Sequence, residues 1–256
     1  MLKLTLVDNL VEVSTSSQVI FMNKSENKFL VISGASRGIG RGIVESFANN
    51  NYKVFYSYKN DKTIENDNVI PIKADFSNTE EVEYFFSKIK QHTSKIDCLV
   101  NNVGIARFIL LASQSHKDFD LSVNTNCKSL FLSYKHSIPF LNRGSSIINI
   151  SSISSIKPKK GDGIYATTKS FINTISRFMQ SELEHKFVSV HTIFPGFVLT
   201  EKLQEPQYES IRKNNFVQIP LGRFSSPKEI GKLVFFLSKL QYCNIEIPIT
   251  GGQHLT

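Results

Sequence analysis

One short apolar run and the turn after it constrain this chain more than any other feature. Phe29-Leu-Val-Ile32 is followed at once by Ser33-Gly-Ala-Ser-Arg-Gly-Ile-Gly40. A buried strand that ends in spaced glycines and then opens a helical pattern is the layout of a phosphate-cradling turn. Gly34 permits the tight bend, and Gly38 and Gly40 let backbone and helix approach a pyrophosphate whose charge rests against the helix N-terminus. Ser36, Arg37 and Ile39 lie inside the same turn. The spacing is Gly-x3-Gly-x-Gly, not the commoner Gly-x-Gly-x-x-Gly, so a strand–helix turn without a ligand is the competing reading until other motifs are counted.

Beyond this turn, short apolar segments alternate with helical patterns. Strands are expected at Phe29–Ser33, Lys53–Ser57, Val69–Lys73, Cys98–Asn101, Ser146–Ser151, Val188–Phe194 and Glu246–Thr250. Helices are expected at Gly38–Asn49, Thr79–Gln91, Phe119–Leu141, Gly163–Glu184 and Pro227–Lys239. Capping boxes are read at Ser77-x-x-Glu80 and Ser226-x-x-Glu229, the second with Pro227 at the first helical position. Such alternation predicts an α/β fold: one Rossmann-like, doubly wound parallel sheet with helices on both faces. A chain of 256 residues, 41% of them hydrophobic, can fill one such core. The segment between Tyr58 and Val69 is short for a full crossover helix. Residues 1–27 stand apart from the 28–256 domain. Leu2–Val7 and Leu10–Val13 alternate around Asp8-Asn9, which fits a small hairpin, a mobile extension or a start at Met22 equally well.

Composition excludes some classes. The formal net charge is +8, but the basic residues are scattered, with no basic block or interleaved aromatic motif. This argues against nucleic acid and leaves a solvated basic surface or an acidic partner. No apolar run approaches the roughly 20 residues that span a membrane. The three cysteines, Cys98, Cys127 and Cys243, are few and far apart, which fits a reducing compartment, and the cytoplasm is expected. The histidines show no metal-ligand spacing, so no metal is expected.

The second informative stretch is Ile148-Asn-Ile-Ser-Ser152 followed by Tyr165-Ala-Thr-Thr-Lys169. Tyrosine and lysine four residues apart share a helix face. A neighbouring ammonium favours the phenolate, which lowers a tyrosine pKa and suits it to exchange a proton with a carbonyl or alcohol oxygen. A serine hydroxyl at a strand end can hold that oxygen. Ser151 competes for this role, but successive strand residues face opposite sides, and Ser152 is preferred.

With these motifs in order, the chain resembles the short-chain dehydrogenase/reductases of single-domain length from about Lys28 to His254. The family's glycine motif is Ser33–Gly40, and its Asn-Asn-Ala-Gly motif appears as Asn101-Asn102-Val103-Gly104. The resemblance implies that Asp75, followed by Phe76, contacts the adenine amino group. It implies a catalytic tetrad of Asn124, Ser152, Tyr165 and Lys169, with tyrosine at the family's usual thirteenth position after the serine. It places Pro195, Gly196, Val198 and Thr200 in the loop that holds the nicotinamide carboxamide. Tyr165 is then the proton donor, Ser152 polarises the substrate oxygen, Lys169 holds the nicotinamide ribose, and Asn124 holds a relay water.

The expected cofactor is NADP(H). The second strand, Val54-Phe-Tyr-Ser-Tyr-Lys59, carries no acid until Asp61, while Arg37, Ser57 and Lys59 suit a ribose 2′-phosphate. In the alternative, Asp61 reaches back to the ribose and the cofactor is NAD. Ile219–Ile230 resembles 3-oxoacyl-(acyl-carrier-protein) reductases, and Thr200–Phe216 is the expected substrate lid. Lys157, Lys159, Lys160, Arg143 and Lys186 are basic residues suited to an acidic acyl carrier protein or a CoA thioester; solvated loop lysines explain them equally well. Another small ketone or alcohol is the alternative substrate, and a non-catalytic NADP-binding regulator the alternative class. The chain departs from these reductases at Thr250, where aspartate is usual, and at Tyr242-Cys-Asn-Ile245. The resemblance also implies a homodimer or homotetramer built on the helices Phe119–Leu141 and Gly163–Glu184.

Overall fold

A computed structural model describes residues 3–7, 10–15, 18–23, 27–61, 64, 66–216, 218–240 and 244–255. The first three stretches are strands of an antiparallel sheet: β1 (Lys3–Val7), β2 (Leu10–Thr15) and β3 (Gln18–Asn23). Val7 pairs with Leu10 and Thr15 with Gln18, so the hairpin reading is extended by a third strand. The Asp8-Asn9 turn lies outside the described residues.

The second sheet carries the site. Its strands are β4 (Lys28–Ile32), β5 (Tyr52–Tyr58), β6 (Val69–Lys73), β7 (Ile96–Asn101), β8 (Leu141–Ile150), β9 (Ser189–Pro195) and β10 (Glu246–Ile249). They pair in parallel in the order β6-β5-β4-β7-β8-β9-β10. Strand order reverses beside β4, and the crevice outside the carboxyl ends of β4 and β7 is where a doubly wound sheet takes its ligand. The helices are α1 (Gly38–Ala48), α2 (Thr79–Lys90), α3 (His116–Val123), α4 (Ser129–Ser137), α5 (Gly163–Leu183), α6 (Glu201–Gln204), α7 (Glu209–Phe216) and α8 (Pro227–Leu237).

Each sheet face is covered by its own core. Val82, Phe85 and Ile89 of α2 pack with Leu130 of α4, Ile172 and Met179 of α5 and Phe55, Leu99 and Ile147 of the sheet. On the other face, Ile43, Val44 and Phe47 of α1 pack with Ile230, Val234 and Leu237 of α8 over Leu30, Val54 and Cys98. Helices α1 and α8 approach through glycines. A Cβ on Gly42 would lie 2.3 Å from the Pro227 carbonyl oxygen, and one on Gly231 would lie 2.2 Å from that of Gly42. This backbone contact holds the glycine turn's helix against the sheet.

Two expected elements are corrected. The long helix Phe119–Leu141 is broken by a π turn at Asn124–Lys128, and α4 ends in a short 3₁₀ turn at Ile138–Phe140. Pro139 has no N–H for a helical ladder, and Leu141 already opens β8. The expected capping box at Ser77 is displaced by one residue: Asn78 caps α2, its side chain accepting from the Glu81 N–H, while Ser77 donates to Asp75. The Ser226–Glu229 box forms as expected. The expected lid is mostly helical, as α6 and α7.

Candidate active site

The end of β8 and the start of α5 bring three side chains together. Ser152 is buried beside the Tyr165 hydroxyl; its Oγ accepts from the Ser154 N–H. Ser151 points elsewhere, into Asn173 and the Lys169 carbonyl at 2.6 and 3.1 Å. Lys169, one helical turn after Tyr165, is 3% exposed, and its Nζ donates to the Ile150 carbonyl at 2.8 Å.

The electrostatics differ from the expectation for Tyr165. Desolvation raises its pKa, the hydrogen bond with Ser152 offsets part of the rise, and the charge of Asp162 adds to it. The Lys169 ammonium sits 5.9 Å from the ring centre and is directed at Ile150, so it does not reverse this balance. In the protein without ligand, Tyr165 therefore holds its proton more tightly than a free tyrosine. Burial pushes Lys169 the other way, down to about 8.

Asn124 is not the asparagine of this cluster. It is exposed, whereas Asn126 is fully buried. Asn126 accepts from the Ile105 N–H at 2.8 Å and donates to the Ile105 carbonyl and Thr168 Oγ1, both at 2.9 Å. It thus ties the Gly104 loop to α5, beside Lys169. The π turn at Asn124–Lys128 sets this orientation, as π turns often do at functional sites. A signal for it exists in the sequence: Ser122, Asn126, Ser129, Ser133 and Ser137 recur at helical spacing, and all are buried. Asn124 is off that stripe.

The glycine turn lies at the switch point. Gly38 has φ of 57° and opens α1 with a free first-turn amide, which donates at 2.9 Å to the carboxylate of Glu201. An anion already occupies the amide where the pyrophosphate is expected, so the chemistry of this donor fits such a group. Ser36 and Ile39 are partly buried, Gly40 is buried and Arg37 is exposed. Asn102 braces the turn from the side, its Nδ2 donating to the carbonyls of Ser33 and Gly34 at 3.1 and 2.6 Å. Val103 packs onto Gly34, and Gly104 lies against the Lys169 amine.

Several expected cofactor contacts are otherwise engaged. Ser57 is buried and its Oγ accepts from the Gly34 N–H at 2.8 Å, so it shapes the turn and is not presented to a phosphate. Lys59 and Asp75, expected to hold opposite ends of the adenosine, are paired with each other at 2.5 Å. Burial raises the Asp75 pKa, but hydrogen bonds from Lys59 and Ser77 outweigh it and hold the carboxyl below its usual range. Phe76 is a core residue, edge-on to Phe85 at 5.1 Å. Val198 is buried in the core as well, while Pro195 ends β9, the Gly196 N–H donates to Ile249, and Thr200 packs against Gly38. Asp61 is exposed.

Around Tyr165 stand residues that the motifs did not single out. Phe108 stands edge-on to Tyr165 with centroids 6.2 Å apart, and the Ile109 N–H donates to the Gly161 carbonyl. Below this loop lies Asp162, 5% exposed, accepting from Ser154 Oγ at 2.7 Å. Of the basic residues, Lys157 donates to the Gln253 carbonyl and Lys159 lies over the Phe197 ring. Arg143 covers the exposed ring of Phe187 at 4.1 Å, and Lys186 donates to the Ile138 carbonyl.

A doubly wound sheet with a glycine turn at its switch point, and a serine–tyrosine–lysine cluster beside it, defines a nicotinamide-type oxidoreductase acting on CH–OH and C=O groups. Comparison with known proteins agrees. A family model described as enoyl-(acyl carrier protein) reductase matches residues 34–246. The 3-oxoacyl-(acyl-carrier-protein) reductase FabG of Thermotoga maritima is 31% identical over 227 residues, covering 83% of this chain and 91% of its own. A 3-oxoacyl-(acyl-carrier-protein) reductase of Mus musculus is 29% identical over 90% of this chain and 99% of its own. In fold, the chain is similar to the ligand-free aldohexose dehydrogenase of Thermoplasma acidophilum, with a TM-score of 0.83, 23% identity and coverage of 90% and 95%. This chain belongs to the short-chain dehydrogenase/reductase family.

Proposed function

We propose that the protein is an NADPH-dependent reductase of 3-oxoacyl thioesters, carried by a coenzyme or an acyl carrier protein. The observation that carries the chemistry is the grouping of buried Ser152, Tyr165 and, one turn further along α5, buried Lys169. Bound NADPH supplies the hydride. Tyr165 gives its proton to the developing alkoxide, and its raised pKa keeps that proton in place before reduction. Ser152 holds the same oxygen and polarises the carbonyl. Lys169 binds the nicotinamide ribose and restores the Tyr165 proton, with Asn126 holding the relay in place of Asn124.

Arg37, exposed at the start of α1, supports the preference for a 2′-phosphate, and Lys59 joins it on leaving Asp75. Relatives that reduce 3-oxoacyl groups on a carrier protein support the substrate class, as do Arg143 and Lys186, which flank one exposed patch around Phe187. A homodimer or homotetramer accounts for the exposed Phe119, Phe131 and Phe178 on α3, α4 and α5. In this reading residues 1–27 form an appendage without a part in catalysis, and the setting is the cytoplasm.

The test is consumption of NADPH and of NADH with acetoacetyl-CoA, beside cofactor binding by fluorescence. The reading expects turnover with NADPH well above NADH, and a Tyr165→Phe variant that binds NADPH but loses at least about a hundredfold in kcat. Binding without turnover on any 3-oxoacyl thioester overturns the substrate; full activity of Tyr165→Phe overturns the mechanism.

A further inference from the structure

The substrate side of the cluster carries a carboxylate that the chemistry above does not use. Asp162 precedes α5, three residues before Tyr165, and only 5% of it is exposed. Its hydrogen-bond donor is a neutral hydroxyl, Ser154 Oγ at 2.7 Å, and among the described residues it has no lysine or arginine within ion-pair reach. Of the lysines of its own loop, Lys157 donates to the Gln253 carbonyl, Lys159 lies over the Phe197 ring and Lys160 is exposed. The carboxylate is also coupled to the reacting atoms. Ser154, which donates to Asp162, donates its N–H to Ser152 Oγ, the group beside the Tyr165 hydroxyl. Phe108 stands edge-on to Tyr165, and the Ile109–Gly161 hydrogen bond ties the same loop to the residue before Asp162.

A buried carboxylate without an ion-pair partner repels a second negative charge more strongly than an exposed one does, because less solvent lies between them. We propose that Asp162 is a specificity-determining residue that restricts the site to substrates uncharged beside the reacting carbonyl. The basic patch at Arg143 and Lys186 lies on the outer surface, so the molecule separates its charges. Phosphate-bearing carriers are met outside, and a free 3-oxo acid is refused at the carbonyl while its thioester or ester is admitted. This inference rests on Tyr165 as the proton donor.

The test compares two 3-oxo substrates that differ in charge, acetoacetate and ethyl acetoacetate, with NADPH. The quantity read is the ratio of kcat/KM for the anion to that for the neutral ester. The wild type is expected to prefer the ester. Asp162→Asn is expected to raise the ratio by about tenfold or more, equivalent to about 1.4 kcal/mol, and Asp162→Glu to restore the wild-type ratio. A ratio that Asp162→Asn leaves unchanged overturns the inference, even if overall activity falls, since a purely structural role would slow both substrates alike. Where Asp162→Asn does not fold, Asp162→Gln carries the same comparison. Binding of both ligands to the Tyr165→Phe enzyme–NADPH complex, followed by nicotinamide fluorescence, reads the same ratio without turnover. A protein that discriminates in binding but reduces neither compound therefore refutes the proposed reaction and supports the filter; equal binding of the two refutes the filter.

Discussion

At the scale of single residues, Asn126 and Lys169 carry the strongest expectations. Asn126 spans the Gly104 loop and α5 through three hydrogen bonds, while Asn124 faces solvent. Asn126→Ala is expected to lower kcat at least about tenfold and to lower stability by about 1–3 kcal/mol from unpaired buried groups. Asn124→Ala is expected to leave both near wild type; steady-state kinetics and denaturant unfolding check the pair. Lys169 has its folded pKa depressed to about 8 from 10.5. Between these values the unfolded chain binds more protons, so stability rises with pH across that window, and the buried charge costs about 3 kcal/mol below it. Relative to Lys169→Met, the cofactor-free wild type should therefore gain stability between about pH 8 and about pH 10, measured by urea unfolding of both proteins. A parallel pH dependence for both would refute this.

At the scale of elements, the placement of α1 depends on two glycines that no motif marks. Gly42→Ala would press a methyl group into the Pro227 carbonyl at 2.3 Å, where backbone meets backbone and neither side can rotate away. The expected loss is about 3 kcal/mol, with weaker cofactor binding because the glycine turn moves with its helix. Thermal unfolding and fluorescence titration with NADPH read both effects. Helix α6 meets the same turn through Glu201, whose carboxylate takes the Gly38 amide. Glu201→Gln removes a negative charge from the amide expected to seat a pyrophosphate. It is expected to tighten NADPH binding about threefold to tenfold, most clearly at low salt. Unchanged affinity would show that α6 swings clear of the turn without cost.

At the scale of the whole molecule, two basic residues from distant segments share one surface patch. Arg143 and Lys186 border the exposed Phe187, far along the chain from the glycine turn yet joined by the Gly144–Phe187 hydrogen bond. Reversing both, Arg143→Glu with Lys186→Glu, should raise KM for a carrier-protein substrate about tenfold or more and spare a small thioester such as acetoacetyl-N-acetylcysteamine. Equal effects on both substrates would mean that the patch acts on folding, not on docking.

The sequence by itself determined the parts that depend on local spacing. Periodicity and glycine placement are local properties of the backbone, so the seven parallel strands, the helix after Gly38, the cap at Ser226 and the Ser152–Tyr165–Lys169 grouping were all legible in it. Ser152 over Ser151 followed from strand alternation alone. Tertiary structure decided what depends on contacts between distant segments. It chose Asn126 over Asn124, because contacts with the Gly104 loop and α5 bury Asn126 and leave Asn124 exposed, although the buried polar stripe through Ser122 and Ser129 already pointed to it. It assigned Ser57 to the glycine turn and Phe76 to the core, and it paired Lys59 with Asp75, since each has a partner many residues away. It also set the proton affinity of Tyr165. The nearby lysine and Asp162 were both visible in the sequence, but the loss of water that leads the rise comes only with burial of the ring between β8 and α5.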